Sequence, residues 1–302
     1  MKMNKKAKIM LACLLILGCF AAIGCVQEEE ATSADAAEGM TEQTISEEKV
    51  IIGIPSWDDG RATANVLKHV LESEGHESEI IVADLGGIYQ AVAQDDIDVF
   101  PSAWLPATQA PYWDKYGEDI VYVNNVSSGA KCGLVVPEYV EIDSIEELQE
   151  NRDKFDGVIR GIEPGAGIMQ NCEVAIEEYN LDYELHSSST VGMSTVLQEA
   201  IDNEEWVVVT LWEPHWTFAR MDLKFLEDPK GIFGESDNIV MLTRNGFQED
   251  NPEVYEIISR FEMDTGEIAA IMIDLDAGMD PEDAASKWIE NNPERVNDFL
   301  GN

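Results

Sequence analysis

Apolar positions along the chain follow two alternating periods. Residues 49–54 are a short β-rich run. Residues 61–73 then place Ala64, Val66, Leu67, Val70 and Leu71 at helical spacing. A strand is predicted over 79–83, a helix over 85–94 and a buried strand over 97–100. This βαβαβ order implies a sheet covered by helices. Further strands are predicted at 132–136, 157–162 and 206–211, the last a continuous apolar run suited to a central strand. Helices are predicted over 168–179 and 193–203. Ser144, with Glu147 three residues on, marks another helix start. Asn251-Pro252 and Asp280-Pro281 each place a capping residue before a proline, predicting helices over 253–263 and 281–291. No internal repeat is found. The alternation describes two α/β lobes, with the chain crossing near 135 and returning near 240.

The first segment follows neither period. Lys2, Lys5, Lys6 and Lys8 precede an apolar stretch over 9–23, which is short for a spanning helix and matches a secretory signal. It ends in Ala22-Ile23-Gly24-Cys25, which resembles the site where a cysteine is acylated and becomes the mature N-terminus. Such sites usually carry Leu three residues before the cysteine, where this chain has Ala22. Ile16-Leu17-Gly18-Cys19 is a weaker second candidate; an ordinary cleaved signal or an uncleaved anchor helix are the alternatives. Residues 26–48 are rich in Glu, Ala, Ser and Thr and carry no aromatic residue, so they read as a flexible tether. Only Cys132 and Cys172 remain in the body. An oxidising compartment permits a bridge between them, and two separate buried thiols fit equally. Their spacing gives no zinc signature.

Charge narrows the partners. The 302 residues hold 60 Asp and Glu against 19 Lys and Arg, a net charge of −41. A chain this acidic lacks the clustered cations that grip nucleic acid or an anionic membrane surface. It reads as a solvated acidic surface suited to saline surroundings.

Catalytic chemistry is not legible. His69, His76, His186 and His215 form no HExxH pattern. Ser187-Ser188-Ser189 lacks the spacing of a nucleophile elbow. Asp274-Leu275-Asp276-Ala277-Gly278 resembles a calcium loop, but its Gly comes one place early and Ala285 takes the position of the bidentate Glu. Gly161, Gly165 and Gly167 do not give the dinucleotide fingerprint. Sixty acids make any carboxylate pair uninformative. Neither metal nor cofactor is expected, and the chain is expected not to be an enzyme.

Tryptophans carry the positive signal. Of seven, Trp57, Trp104 and Trp212 each stand just past the carboxyl end of a predicted strand, where open α/β sheets bind ligands. Each is flanked by Pro or polar residues. Trp113, Trp206 and Trp288 read as packing residues. A single such Trp would only cover a loop; three of them, drawn from both lobes, suit an aromatic cage. A cage fits a quaternary ammonium, which has no N–H to donate and must be held by cation–π attraction. The turn Gly161-Ile162-Glu163-Pro164-Gly165-Ala166-Gly167-Ile168 leads from a strand into a helix. Backbone N–H groups of Gly167 and Ile168 at that helix mouth favour an anion. A tight turn alone also explains this stretch. Cage and helix mouth together describe a zwitterion.

The stretches DVFPSAWLPATQAPY, GLVVPEYVEIDSIEEL, GIEPGAGIM, VVVTLWEPHWTFARMDLKFLEDPKGIFG and MDPEDAASKWIE resemble the glycine betaine-binding lipoproteins of osmoregulatory ABC importers, over about 50–300. The resemblance implies a two-lobed periplasmic-binding-protein fold of the type II, Venus-flytrap kind, with lobe 1 over 49–134 plus 241–302 and lobe 2 over 135–240. It implies a box formed by Trp57, Trp104 and Trp212, with Gly167 and Ile168 as backbone donors to the ligand carboxylate. The family's histidine, five residues after the AWLP tryptophan, is here Gln109, which donates a hydrogen bond without charge. With no histidine among the donors, a flat affinity between about pH 5 and 8 is expected. The implied ligand is glycine betaine, with proline betaine, carnitine or choline as alternatives. The implied partners are a membrane permease and its ATPase. The implied state is a monomer tethered through Cys25 on the extracytoplasmic face, without nucleic acid.

Overall fold

The computed structural model describes residues 49–302. The signal expected over 1–24, the lipid site at Cys25 and the tether over 25–48 lie outside the described residues. From the start of the body, strands and helices alternate: β1 (Val50–Ile54), α1 (Asp58–Ser73), β2 (Ser78–Val82), α2 (Leu85–Ala93), β3 (Val99–Leu105), α3 (Ala110–Tyr116) and β4 (Ile120–Pro137). A second set follows: β5 (Val158–Arg160), α4 (Gly167–Glu178), β6 (Glu184–His186), α5 (Thr190–Asp202), β7 (Val209–Glu213), α6 (Thr217–Arg220) and β8 (Leu223–Phe225). The chain ends in β9 (Asp237–Arg244) and the helices α7 (Phe247–Asp250), α8 (Pro252–Arg260), α9 (Thr265–Asp276), α10 (Pro281–Asn291) and α11 (Pro293–Leu300).

The strands lie in the order β2-β1-β3-β9-β4-β7-β5-β6, with β8 paired to β4. Pairing is parallel within β2-β1-β3 and within β7-β5-β6. It is antiparallel wherever β4 or β9 takes part. The 18 residues of β4 join the two lobes, because the strand changes partners midway. Up to Ala130 it pairs with β9; from Lys131 it pairs with β7 and then β8.

Alternation decides which layer each side chain enters. In β9, Ile239 and Met241 join the core beneath α1 and α8–α10, while Val240 and Leu242 join Ile88, Tyr89 and Phe100 beneath α2. Helix α1 buries much of its surface because α9 and α10 cover the face turned away from the sheet. Helix starts are capped by short polar side chains. Asp84 accepts from Gly87 N at 2.9 Å, and Ser189 accepts from Gly192 N at 3.0 Å. Asp264 and Glu267 form a reciprocal capping box. Ser144 and Glu147 do the same, but they open two short 3₁₀ segments, 145–147 and 149–155, rather than an α-helix.

Two strand ends differ from the sequence expectation, and they bear on the site. The strand expected over 97–100 runs on through Pro101 to Leu105. Pro101 has no N–H for the ladder, and the register slips between Phe100 and Ala103 before pairing with β9 resumes. Trp104 therefore lies inside β3, opposite Ile239, not beyond its end. The run expected over 206–211 likewise forms a strand only from Val209 to Glu213, so Trp212 sits inside β7, opposite Cys132.

Candidate functional site

A small pocket opens between the lobes. Trp57, Trp104 and Gln109 reach it from lobe 1; Gly167, Ile168 and Trp212 reach it from lobe 2. All six candidate ligand residues are thus brought together. Asp59, Thr108, Cys132 and Ile162 line the same space and were not singled out in the sequence.

The three indoles are held in three ways. Trp57, the residue before α1, is half-buried, and its indole N–H donates to Glu163 Oε2 of lobe 2 at 3.3 Å. Glu163 is itself fixed by Thr190, whose N–H reaches Oε1 at 3.1 Å and whose hydroxyl reaches Oε2 at 3.2 Å. Trp104 is only 3% exposed and donates its N–H to Asp59 Oδ2 at 3.0 Å. Trp212 is 4% exposed, and its N–H has no protein partner. The His215 ring meets it edge-on at 4.7 Å between centroids. Trp57 and Trp212 lie 6.3 Å apart and are tilted by 53°, so the two rings are not stacked flat.

Two buried titratable groups stand behind the indoles. Burial pushes the Asp59 carboxyl up to about 6, against hydrogen bonds from Trp104 and from the backbone at the start of α1. Burial pushes His215 down to about 3, so the imidazole is neutral at pH 7. Its Nδ1 accepts from Thr217 N at 3.3 Å, and its Nε2 has no partner.

The opposite wall is built to donate. Gln109 is fully buried; its Oε1 accepts from the Tyr89 hydroxyl at 2.9 Å, leaving Nε2 without a partner. Burial raises Tyr89 well above the usual phenol range, so the hydroxyl keeps its proton to donate. A buried N–H without an acceptor is costly, and an anionic ligand atom in the cavity would satisfy it. Helix α4 begins at Gly167 after Ala166, which brings no capping side chain, and its first turn holds no acid. The N–H groups of Gly167 and Ile168 have no partner within the helix and form the positive end of its dipole. Glycine at 167 is dictated by the other lobe: a Cβ there would sit 2.0 Å from the Thr108 carbonyl oxygen. Thr108 is in turn held by Asp237, which accepts from the N–H groups of Ala107 at 2.6 Å and Thr108 at 3.0 Å.

Other contacts cross the cleft at its rim. The Tyr112 hydroxyl of lobe 1 donates to Gly165 O at 2.7 Å and accepts from Gln170 Nε2 at 3.1 Å. Arg220 on α6 pairs with Asp276 on α9. Cys132 and Cys172 are both buried and unlinked, and burial pushes both thiols well above their usual range. Among the described residues there is no cluster of His, Cys, Asp and Glu able to hold a metal. None of their helices is long and apolar enough to cross a membrane.

This geometry has counterparts. Residues 48–291 match the family of substrate binding domains of ABC-type glycine betaine transport systems. The glycine betaine/carnitine transport binding protein GbuC of Listeria monocytogenes serotype 1/2a (strain 10403S) is 40% identical over 170 residues, a match spanning 55% of this chain and 55% of that relative's own length. Lactococcal OpuAC, in its closed-liganded conformation with glycine betaine, is 37% identical, with a TM-score of 0.80 over 84% of this chain and 99% of its own. A choline binding protein in complex with choline is 27% identical, with a TM-score of 0.79 over 84% of this chain and 91% of its own.

Proposed function

The chain belongs to the family of substrate binding domains of ABC-type glycine betaine transport systems, and from that membership we propose that it captures glycine betaine between its lobes and delivers it to a membrane permease. It binds a solute and transforms none. The carrying observation is the cavity itself, where three indoles meet one buried, unpaired amide donor and the open mouth of α4. The indole faces take the trimethylammonium head, which offers methyl groups and a diffuse charge. Gln109 Nε2 and the N–H groups of Gly167 and Ile168 take the carboxylate. Because donors and rings come from both lobes, ligand binding favours the closed arrangement.

The closed form then docks on the permease, whose ATPase partner drives transport. The chain acts as a monomer on the extracytoplasmic face, its signal over 1–24 removed and Cys25 acylated, with 25–48 as the tether. Calorimetric titration of the folded protein with glycine betaine tests the ligand. Saturable heat is expected, and no heat at millimolar ligand would overturn the assignment. Carnitine, proline betaine and choline are the rival ligands within the same role. Choline has no carboxylate to offer Gln109 and α4, so it is expected to compete poorly; equal competition would overturn the anion half of the reading.

A further inference from the structure

We propose that Asp59 is the counter-charge of the cage: its carboxylate, hydrogen-bonded to the Trp104 indole, strengthens the hold on a cationic head, and binding weakens as that carboxylate takes up a proton. This rests on the ligand class proposed above. Asp59 is 1% exposed, and Oδ2 is occupied by the Trp104 N–H at 3.0 Å. Its Oδ1 is buried and has no partner. It is the one carboxylate among the residues lining the ligand cavity. An ionised acceptor on the indole N–H moves electron density toward the ring face, and the same charge attracts an ammonium through a low-dielectric wall.

This charge is met by hydrogen bonds rather than by a cation among its strongest neighbours. On its own helix, Asp58 raises the proton affinity of Asp59, while the N–H groups of Asp59 and Gly60 lower it. From β3 comes only the neutral Trp104 donor. From β4 comes the Cys132 thiol, which burial keeps protonated and on which Asp59 and Asp237 of β9 both act. None of the groups acting most strongly on Asp59 is a cation. A betaine head fills that role. By linkage, binding a cation lowers the bound-state pKa of Asp59 below its free value of about 6, so binding in that range releases a proton. The flat profile expected from the missing histidine is thereby replaced by one that bends below neutral pH.

Calorimetry on the wild-type protein decides the matter, with glycine betaine at pH 7.5 and 5.5 in two buffers of different protonation heat. Affinity is expected to fall about fourfold at pH 5.5, steepening toward tenfold per pH unit below that, with proton release on binding. Asp59→Asn is expected to bind more weakly at pH 7.5 and to lose the pH dependence. As a control that needs no variant, 3,3-dimethylbutanoate replaces the trimethylammonium by a neutral tert-butyl group. Its affinity for the wild type is expected not to fall between pH 7.5 and 5.5. Betaine binding that is flat across this range without proton release would overturn the role of Asp59 and leave the ligand assignment standing. Equal weakening of both ligands would likewise overturn it, because the cation would not be the cause. Absence of betaine heat at every pH would remove the ligand assignment and this role with it.

Discussion

The two lobes bring a tryptophan each from inside a strand, and they hold it by opposite means. In lobe 1, Trp104 on β3 has its N–H tied to a buried acid, Asp59. In lobe 2, Trp212 on β7 has a free N–H and leans on a neutral imidazole, His215. The first arrangement puts a negative charge behind its ring; the second puts none. Lobe 2 answers with the start of α4, where partial positive charge faces the cavity. The third ring belongs to neither pattern. Trp57 starts from lobe 1, yet its N–H ends on Glu163 of lobe 2. Two of the three indoles are thus held within their own lobes, and the third by a contact across the cleft.

Alanine substitutions test that division most forcefully. Each of the three is expected to weaken betaine binding by about 2 kcal/mol, the worth of a cation–π contact in a desolvated cage. Stability is where they part. Trp104 and Trp212 are core residues, so Trp104→Ala and Trp212→Ala are expected to cost a further 3–5 kcal/mol or so of folding stability. Trp57→Ala, at a half-buried position before α1, is expected to leave the melting temperature nearly unchanged. Chemical denaturation beside calorimetry measures both. Equal loss of stability in all three would break the distinction between strand-borne and cleft-spanning rings.

Legibility in the sequence followed the same line. Strands with continuous apolar runs and helices with a regular apolar face could be read, as in β1, α1, α4 and α10. The long β4 could be read only over 132–136, because its first half, over 120–130, includes Asn124, Asn125, Ser127 and Ser128. It extends because β9 pairs along it, a tertiary cause invisible locally. The six candidate ligand residues stood out because Trp, Gly and an AWLP pattern are rare and distinct. Their supports did not. Asp59 and Glu163 are two acids among sixty, and only the fold reveals which two are placed against an indole. Asp59 left one usable trace, since it lies two residues after Trp57 in the first turn of a helix. His215 is one of four histidines without a motif, and its packing against Trp212 appears only once β7 turns into α6.

The buried pair behind the strand-borne rings gives the next test, in stability against pH. Folded His215 resists protonation down to about 3, whereas the unfolded side chain gains a proton near 6.5. Its contribution is present above pH 6.5 and is lost as pH falls. Folded Asp59 gains a proton near 6, but the unfolded carboxyl only near 3.8. Its contribution moves the other way, rising as pH falls from 6 toward 3.8. Between those limits the two oppose each other, each at roughly 1 kcal/mol per pH unit. Asp59→Asn is therefore expected to be more acid-sensitive than wild type between about pH 6 and 4, and His215→Phe less so. Melting temperatures of the three proteins across that range check this. Parallel curves would mean that neither group is buried in the way the site requires.

The smallest expected effect falls on the cleft-spanning contact and isolates closure from the cage. Glu163→Gln keeps a carbonyl oxygen that can accept from the Trp57 N–H, but it removes the charge that strengthens that bond and the two from Thr190. The loss is expected to be about 1 kcal/mol in betaine affinity, roughly fivefold, because a charge-assisted bond becomes an ordinary one. Ligand-free stability should change little, since the contact is a single, partly buried hydrogen bond at the cleft. The affinity loss should also be insensitive to pH between 5.5 and 7.5, in contrast to Asp59→Asn, because this residue acts on the position of Trp57 and not on the field inside the cavity. Faster ligand release with an unchanged association rate would place the effect in the closed state, where Trp57 is tied down. An unchanged release rate would mean that Trp57 is held by lobe 1 alone, and that all three rings are complete before the lobes meet.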